Sequence, residues 1–460
     1  MSLKKNQNIT LKIEDITNLG FGVGRYGGEV VFVSDTVPLD EVECTIIKPY
    51  KSYSIARPTR YIKYSPDRCD SRCQSKLCRA CSYKHLSYER ECEIKRSSVV
   101  SAFNKVGLPE VEVGELIPSP SLTSYRNKAQ YPISRGKGGE YIIGFFAPKS
   151  HRVAEACDCP LAPSVFSDIL KSLKEFFKAN DLSVYDEESG KGLLRHIYLR
   201  RGEVSGEILL TLVINGSSIP NEVELCEKIT REFPEVVGIL TNENRKNTNV
   251  ILGDTFRTLY GRDYIFDTLA GVKLKITAQS FYQVNHGAAE LLYGKAKELC
   301  ELTGDELLLD LYCGAGSIGL SMIDGARELC GIEIVESAVE CAKFNAEING
   351  AKNASFYTGD ASSAEKILDG AEKIRGEKIK PDIVILDPPR AGSTRELLSF
   401  VASLSPKKIV YISCNPETLA RDCVTLIEHG FSPSEITPFD LFPATGHVES
   451  VVCLKRQIQQ

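Results

Sequence analysis

The residues best able to do chemistry fall into four groups. The run Asp310-Leu-Tyr-Cys-Gly314-Ala-Gly316-Ser-Ile-Gly319 follows an apolar stretch and opens a helical pattern, with Glu333 after the next apolar stretch. Glycines in such a turn let backbone approach a ligand closely, and an acid at that distance accepts hydrogen bonds from a ribose. Dinucleotide binding has the same fingerprint, so the rest of the domain must separate the two. Asp387-Pro388-Pro389-Arg390 and Ser413-Cys414-Asn415-Pro416 each end a strand-like run, setting a polar or nucleophilic side chain at the mouth of a sheet while proline stiffens the turn. On its own, Cys414 reads as a small buried strand-end residue. Cys69, Cys73, Cys78 and Cys81, with Cys157 and Cys159 farther on, supply closely spaced thiols plus a remote one, a reasonable four-ligand set for an iron-sulfur cluster. Zinc accepts four thiolates too, and unligated thiols are the third reading. Lastly, Arg126, Lys128, Arg135, Lys137, Lys149 and Arg152 face only Glu140 between Ser121 and Arg152, which is either a phosphate-binding patch or a solvated loop face.

These groups need a scaffold, and 460 residues are enough for two or three domains. Apolar residues at 42% and charged ones at 25% are ordinary globular usage and exclude collagen-like, low-complexity and coiled-coil classes. A net charge of −5 speaks against a wholly basic nucleic-acid coat, though a local patch can still meet phosphate. The longest apolar stretch, Ile208 to Ile214, is far short of a bilayer span, and the start carries no secretory h-region, so a cytoplasmic address is expected. There the 16 cysteines stay reduced and serve as ligands, catalytic thiols or core residues. Over the first 60 or so residues, two-residue alternation broken by Gly20, Gly22, Gly24, Gly27, Gly28 and Pro38 predicts a small β-barrel. A helical stretch runs from His85 to Val106. Between Leu161 and Thr277 the pattern is mixed α/β: a helix through Ser167 to Lys178, strands at Leu193 to Leu199 and Glu207 to Ile214, and a helix near Asn221 to Phe233. The C-terminal third alternates strands with helical segments, at Glu306 to Leu311, Glu328 to Ile334, Ala354 to Tyr357, Asp382 to Leu386 and Lys408 to Ser413, then Glu435 to Phe439 and Ser450 to Leu454. Such alternation implies a doubly wound α/β sheet of seven strands whose ligands sit beyond the strand carboxyl ends.

With these runs in one sheet, the chain resembles the S-adenosylmethionine-dependent RNA uracil-C5 methyltransferases. The resemblance is carried by Asp310 to Gly319, Asp387 to Arg390, Ser413 to Pro416 and Phe442-Pro-Ala-Thr-Gly-His-Val-Glu449. Leu19-Gly-Phe-Gly-Val-Gly-Arg-Tyr26 with Val37-Pro-Leu-Asp-Glu-Val42 resembles a TRAM domain, an oligonucleotide-fold-like barrel of RNA-modifying enzymes. The fold so implied is multidomain: a TRAM-like barrel over 1–62, a central α/β RNA-binding region with the cysteine cluster over 63–278, and a Rossmann-like methyltransferase domain over 279–460. Part of the helical stretch after Cys81 is expected to pack on the catalytic domain.

The chemistry explains the residues. Uracil C5 is too weak a nucleophile to take a methyl group from a sulfonium; a thiolate adding to C6 makes an enolate whose C5 can attack. The resemblance makes Cys414 that thiolate and Glu449 the base that removes the C5 proton, with His447 a nearby polar candidate that reads more readily as structural. For S-adenosylmethionine it points to Gln283, Tyr312, Glu333 and Asp387, with Gly314 in the turn; Tyr312 stands where family loops often carry Phe. Asp360 is a further candidate near the adenine, with a helix N-cap as its equal alternative. For a [4Fe-4S] cluster it points to Cys73, Cys78, Cys81 and Cys159, although Arg79 and Ala80 replace the two glycines of the family and the gap from Cys73 to Cys78 is one residue shorter. Cys69 and Cys157 are the rival ligands. Tyr125-Arg-Asn-Lys-Ala-Gln-Tyr131 is similar to a family stretch, and its alternation suits rings stacking on bases while cations meet phosphate. The target base must be unpaired or flipped out of its stack.

Family members with such cysteines are mostly ribosomal RNA enzymes, which favours a uridine of 23S ribosomal RNA as substrate, with the T-loop of transfer RNA as runner-up. A radical methylthiotransferase, which also joins a TRAM domain to a cysteine cluster, and a non-enzymatic RNA-binding protein are the rivals from other classes. Neither a membrane nor an obligate protein partner is expected.

Overall fold

Five strands, Asn8–Ile16, Gly22–Tyr26, Glu29–Val33, Glu41–Pro49 and Tyr53–Lys63, close into a barrel in the computed structural model, which describes residues 3–71, 73, 75, 77–148, 150–375 and 378–457. Alternation does this directly: Ile9, Leu11 and Ile13 point inward with Val31, Val33, Val42 and Ile46, while the polar residues between them face out. At the rim, Gly20 (φ +77°) lies so close to the segment after the cysteines that a Cβ would stand 2.2 Å from the Ser82 carbonyl oxygen, so only glycine fits.

The central sheet runs Thr255–Gly261, Val236–Glu243, Ile208–Ile214, Leu194–Arg201, Lys128–Arg135, Tyr141–Phe146, Val153–Glu155. Ile208–Ile214 and Val236–Glu243 are parallel, joined by helix Glu222–Glu232. That helix and Ser164–Ala179 cover one face. The hairpin of Tyr264–Leu269 and Val272–Thr277 covers the other, with Ile265 and Leu269 against Leu209 and Leu240. Coverage on both faces explains why Ile208–Ile214 is buried at every position and apolar at all but Thr211. It also corrects the reading of Ser121 to Arg152. Much of that stretch is sheet, and Ala129, Tyr131 and Ile133 enter the core at every second position. The expected base stacking by its tyrosines fails for this reason. Tyr131 is fully buried against Phe145, and buried Tyr125 donates its hydroxyl to the Pro443 carbonyl at 3.0 Å. Lys149 lies outside the described residues.

The C-terminal sheet has the order Ala354–Thr358, Glu328–Glu333, Leu307–Leu311, Ile383–Leu386, Lys408–Ser413, Glu449–Arg456, Phe431–Pro433, with Thr437–Phe439 also paired to Glu449–Arg456. The first five are parallel and Glu449–Arg456 is antiparallel to its neighbours. The count is eight where seven were expected, because a short strand, Phe431–Pro433, precedes the segment read as Glu435 to Phe439, of which Thr437–Phe439 is the strand. Between them Ser434 donates its N–H to the Cys453 carbonyl and accepts from the Cys453 N–H through its hydroxyl, which interrupts the ladder. Helix Tyr88–Lys105, far upstream, packs on this domain: Val99, Ala102 and Phe103 share a core with Leu307, Leu309, Val384 and Leu419. Residues 111–117 follow it, with Val113 bridging Ile436 and Ile117 bridging Phe439. Among the described residues no helix is long and apolar enough to cross a membrane.

Candidate active site

Strand Lys408–Ser413 ends on Ser413, which pairs with Ser450. One step farther, the antiparallel register sets Cys414 opposite Glu449. Asn415 then caps helix Pro416–Glu428, accepting from the Glu417 N–H at 3.1 Å and donating Nδ2 to the Arg390 carbonyl at 3.1 Å. The thiol is thereby fixed at a strand-to-helix turn. Burial lifts the Glu449 carboxyl well above the usual range, Asp387 adds to this and Arg390 opposes it. Burial also pushes the Cys414 thiol up to about 11, again with Glu449 and Asp387 adding and Arg390 opposing. Asp387, at the end of strand Ile383–Leu386, keeps some open surface yet sits deep in the crevice, and burial pushes it up to about 7. Three acidic groups thus share one crevice with a single named counter-charge, Arg390. Arg390 Nη2 lies 2.6 Å from His447 Nδ1; burial and Arg390 together hold the imidazole below its ordinary pKa, so it is neutral at pH 7. A groove of about 660 Å³ opens on Cys414, Arg390 and His447 and runs past Lys105 and Arg90 to Asp15 and Asn18 of the barrel.

Strand Leu307–Leu311 delivers Tyr312 in the left-handed region (φ +66°), followed by Gly314 (φ +54°) and Gly316 (φ +79°). The Gly314 N–H donates to Glu333 Oε2 at 3.1 Å and the Val335 N–H to Oε1 at 2.9 Å. The Glu333 carboxylate is held at the strand end with lone pairs left for a diol, beside exposed apolar surface of Ile334 and Val335. Asp310 Oδ2 accepts from the Gly319 N–H at 3.1 Å; its buried Oδ1 has no partner among the described residues, and burial pushes the carboxyl up to about 8. Gln283 is buried in the same region. Its neighbour Tyr293 is a residue that sequence reasoning missed. The Tyr293 hydroxyl lies 3.0 Å from Ser317 Oγ and also bonds Gln283, close to Asp387 and Asp310. A tyrosine on a partly apolar helix carries no signal that distinguishes it from core. Asp360 is exposed and accepts from the Ser362 N–H at 2.8 Å, so the structure gives it the capping role, within electrostatic reach of Tyr312.

A second cavity, of about 370 Å³, is lined by Cys73, Cys78, Cys81, Cys157 and Cys159. Cys81 and Cys159 both feel the charges of Cys73 and Cys78, and Cys81 feels Cys159, so these four thiols face one another. Cys157 instead donates to the Ile143 carbonyl at 3.4 Å and faces Lys174 and Glu155, and Cys69 donates to the Leu86 carbonyl at 3.1 Å. Burial, then Cys159, Cys78 and Cys73, push Cys81 up to about 12, while Arg126 opposes. Among the described residues no three His, Cys, Asp or Glu side chains converge tightly enough to hold a single metal ion. The basic residues nearby are dispersed. Burial with Arg200 and Arg126 pushes Lys128 down to about 8, Arg135 stacks on Tyr141 at 3.8 Å, and Lys137 and Arg152 face solvent.

Residues 226–457 match the family described as tRNA (Uracil-5-)-methyltransferase. An RNA methyltransferase of Clostridium acetobutylicum is 39% identical over 99% of this chain and 98% of its own length, and one of Listeria monocytogenes is 38% identical over 98% of each. Among solved structures, the tRNA (uracil-54, C5)-methyltransferase of Pyrococcus abyssi in complex with S-adenosyl-L-homocysteine is similar, with a TM-score of 0.78 and 28% identity over 97% of this chain and 100% of that one.

Proposed function

Because this chain belongs to the tRNA (uracil-5-)-methyltransferase family, we propose that it methylates C5 of a uridine in 23S ribosomal RNA, with S-adenosylmethionine as methyl donor. The observation that carries this reading is the register that sets Cys414 opposite Glu449 at the crevice holding Asp387. Cys414 loses its proton to a neighbouring acceptor and adds to C6, giving an enolate. Bound S-adenosylmethionine supplies the electrophilic methyl group. Gln283, Tyr312, Gly314 and Glu333 hold it, with Glu333 toward the ribose; Asp387 lies where the methionine end and the uracil meet, and Asp360 lies at the outer edge. Glu449 then removes the C5 proton, a task suited to a carboxyl whose proton affinity burial has raised well above the ordinary carboxylate range. Arg390 offsets the negative charge of the crevice, with His447 as its neutral partner.

Cys73, Cys78, Cys81 and Cys159 hold a [4Fe-4S] cluster in this reading. Four thiols lining one cavity, Cys78 buried and the others half-buried, suit it, since several irons relieve the mutual repulsion of the thiolates, and a cluster spaces its cysteines more widely than one zinc ion does. The TRAM-like barrel (1–62) and the central region (63–278) bind the RNA, and 279–460 supplies the sheet that bears the chemistry.

A transfer RNA substrate is the second reading, favoured by the family description and the Pyrococcus abyssi structure. The test is methyl transfer from labelled S-adenosylmethionine to unmodified 23S ribosomal RNA and to unmodified transfer RNA, with nucleoside mass spectrometry. 5-Methyluridine in the ribosomal RNA alone supports the first reading; in transfer RNA alone, the second. None in either, from folded protein, would overturn both.

A further inference from the structure

The hairpin loop 440–448 is folded on residues that the proposed chemistry does not touch. Phe439 pairs with Glu449 across the two strands, so the loop ends directly on the Glu449 carboxyl. Its anchor is Lys95, which is 1% exposed. The Lys95 ammonium donates to Glu91 Oε1 at 2.5 Å, Asp440 Oδ1 at 2.7 Å and the Phe442 carbonyl at 3.2 Å. Glu91 Oε1 accepts the Ala444 N–H at 2.8 Å, and Asp440 Oδ1 accepts the Phe442 N–H at 3.0 Å. The Thr445 hydroxyl donates to the Phe442 carbonyl and accepts the His447 N–H, carrying the fold of the loop on toward the crevice. The far side is pinned as well: the Gly446 N–H donates to Ser82 Oγ at 3.1 Å, and a Cβ on Gly446 would stand 2.4 Å from the Asn18 carbonyl oxygen.

A fully buried ion pair is seldom worth more to stability than apolar residues of the same volume, so its use lies in selecting one geometry. Here that geometry is the loop's, because the bonds of Lys95 beyond its own helix all go to atoms of 440–442 and Glu91 adds one to Ala444.

We propose that Lys95, with Glu91 and Asp440, is the positioning element that aligns Glu449 for the second half of the reaction; this rests on the uracil-C5 reading. In the first half the Cys414 sulfur bonds C6, the C5=C6 pair moves toward O4, and C5 takes the methyl group from the sulfonium, whose sulfur keeps the bonding pair. In the second half Glu449 takes the C5 proton, the C5–H pair forms C5=C6, and the C6–S pair returns to Cys414. Proton removal from C5 is the step that needs Glu449 in line.

The test uses the full chain, RNA with tritium at C5 of its uridines, and donor carrying a carbon-14 methyl group, in a single turnover. Methyl incorporation, tritium release and SDS-stable enzyme–RNA adduct are read together. In Lys95→Met, tritium release is expected to slow at least tenfold relative to methyl incorporation while methylated adduct accumulates. Asp440→Asn shifts the same ratio in the same direction by less. Should Lys95→Met fail to fold, Glu91→Gln, which keeps an acceptor for Ala444 but weakens the hold on Lys95, is expected to show the same lag. A folded variant that loses methyl incorporation and tritium release in parallel overturns the proposal while leaving the uracil reading intact. Wild-type protein that forms no 5-methyluridine overturns both.

Discussion

Cys414 and Glu449 face each other just beyond the last rung of an antiparallel ladder: Ser413 pairs with Ser450, and the thiol and the carboxyl belong to the next residue on either strand. After burial, the carboxyl is the largest reason the thiol keeps its proton, and Arg390 pulls the other way. Glu449→Gln is therefore expected to lower the pH midpoint for alkylation of Cys414 by iodoacetamide, and Arg390→Ala to raise it. Shifts in the opposite directions would mean that the three groups do not share a crevice.

Both groups hold their protons above the ordinary range: Cys414 must give its proton up before the methyl group is transferred, and Glu449 must be free of its own to take the C5 proton afterwards. Single-turnover methylation should rise as pH rises through neutrality, by about tenfold per unit while one proton is being lost. A rate that is flat from acid to alkaline pH, measured under donor saturation, would contradict this.

Stability should move the other way. Asp310, Asp387 and Glu91 are pushed up to about 8, 7 and 7, and Glu449 is raised too, whereas in the unfolded chain each returns to the ordinary carboxylate range. Between roughly pH 4 and 8 the folded form binds more protons than the unfolded one, so stability falls with rising pH. Tm at pH 6 is expected to exceed Tm at pH 8, and Asp310→Asn to shrink the difference, in scanning calorimetry without donor.

Glu333 is tied to Gly314 and Val335 and has lone pairs to spare. Glu333→Ala removes a charged acceptor and should weaken S-adenosylmethionine binding by roughly 10- to 100-fold in calorimetric titration. Unchanged affinity would place the ribose elsewhere.

For the cysteine cavity, serine at Cys73, Cys78, Cys81 or Cys159 should abolish iron and sulfide in anaerobically purified protein. Serine at Cys69 or Cys157 should not, because those thiols turn to backbone carbonyls. A zinc-only preparation from wild-type protein would count against the cluster.

Local patterns legible in the sequence were those whose cause is local. The glycine turn, the strand runs before Asp387 and Cys414, and the barrel alternation all appear where their spacing puts them. What stayed hidden depends on which surface a residue meets. Tyr131 alternates with cations as a base-stacking ring does, but the sheet it joins has a helix over that face. Tyr293 looks like any helix residue until Gln283 and Ser317 are brought to it. Glu91 and Lys95 have the spacing of an ordinary exposed helix pair, and only the folded chain shows that both are buried. The rivalry of Cys159 and Cys157 also needed the fold, which puts both at the cavity, sets Cys159 near Cys73 and Cys78, and turns the Cys157 thiol to the Ile143 carbonyl.

The packing of helix Tyr88–Lys105 on the C-terminal sheet has a consequence for synthesis. Asp440, which meets Lys95, follows it by 345 residues. A growing chain makes this helix long before the surface that will cover Val99, Ala102 and Phe103 exists. Throughout that interval Lys95 has only Glu91 for a partner and an apolar stripe stays open to water, while the barrel has all its strands and can already close. The nascent protein is therefore open to misassociation through this helix's apolar stripe until the C-terminal sheet arrives to cover it, and holding that stripe apart is the service a chaperone would perform for it.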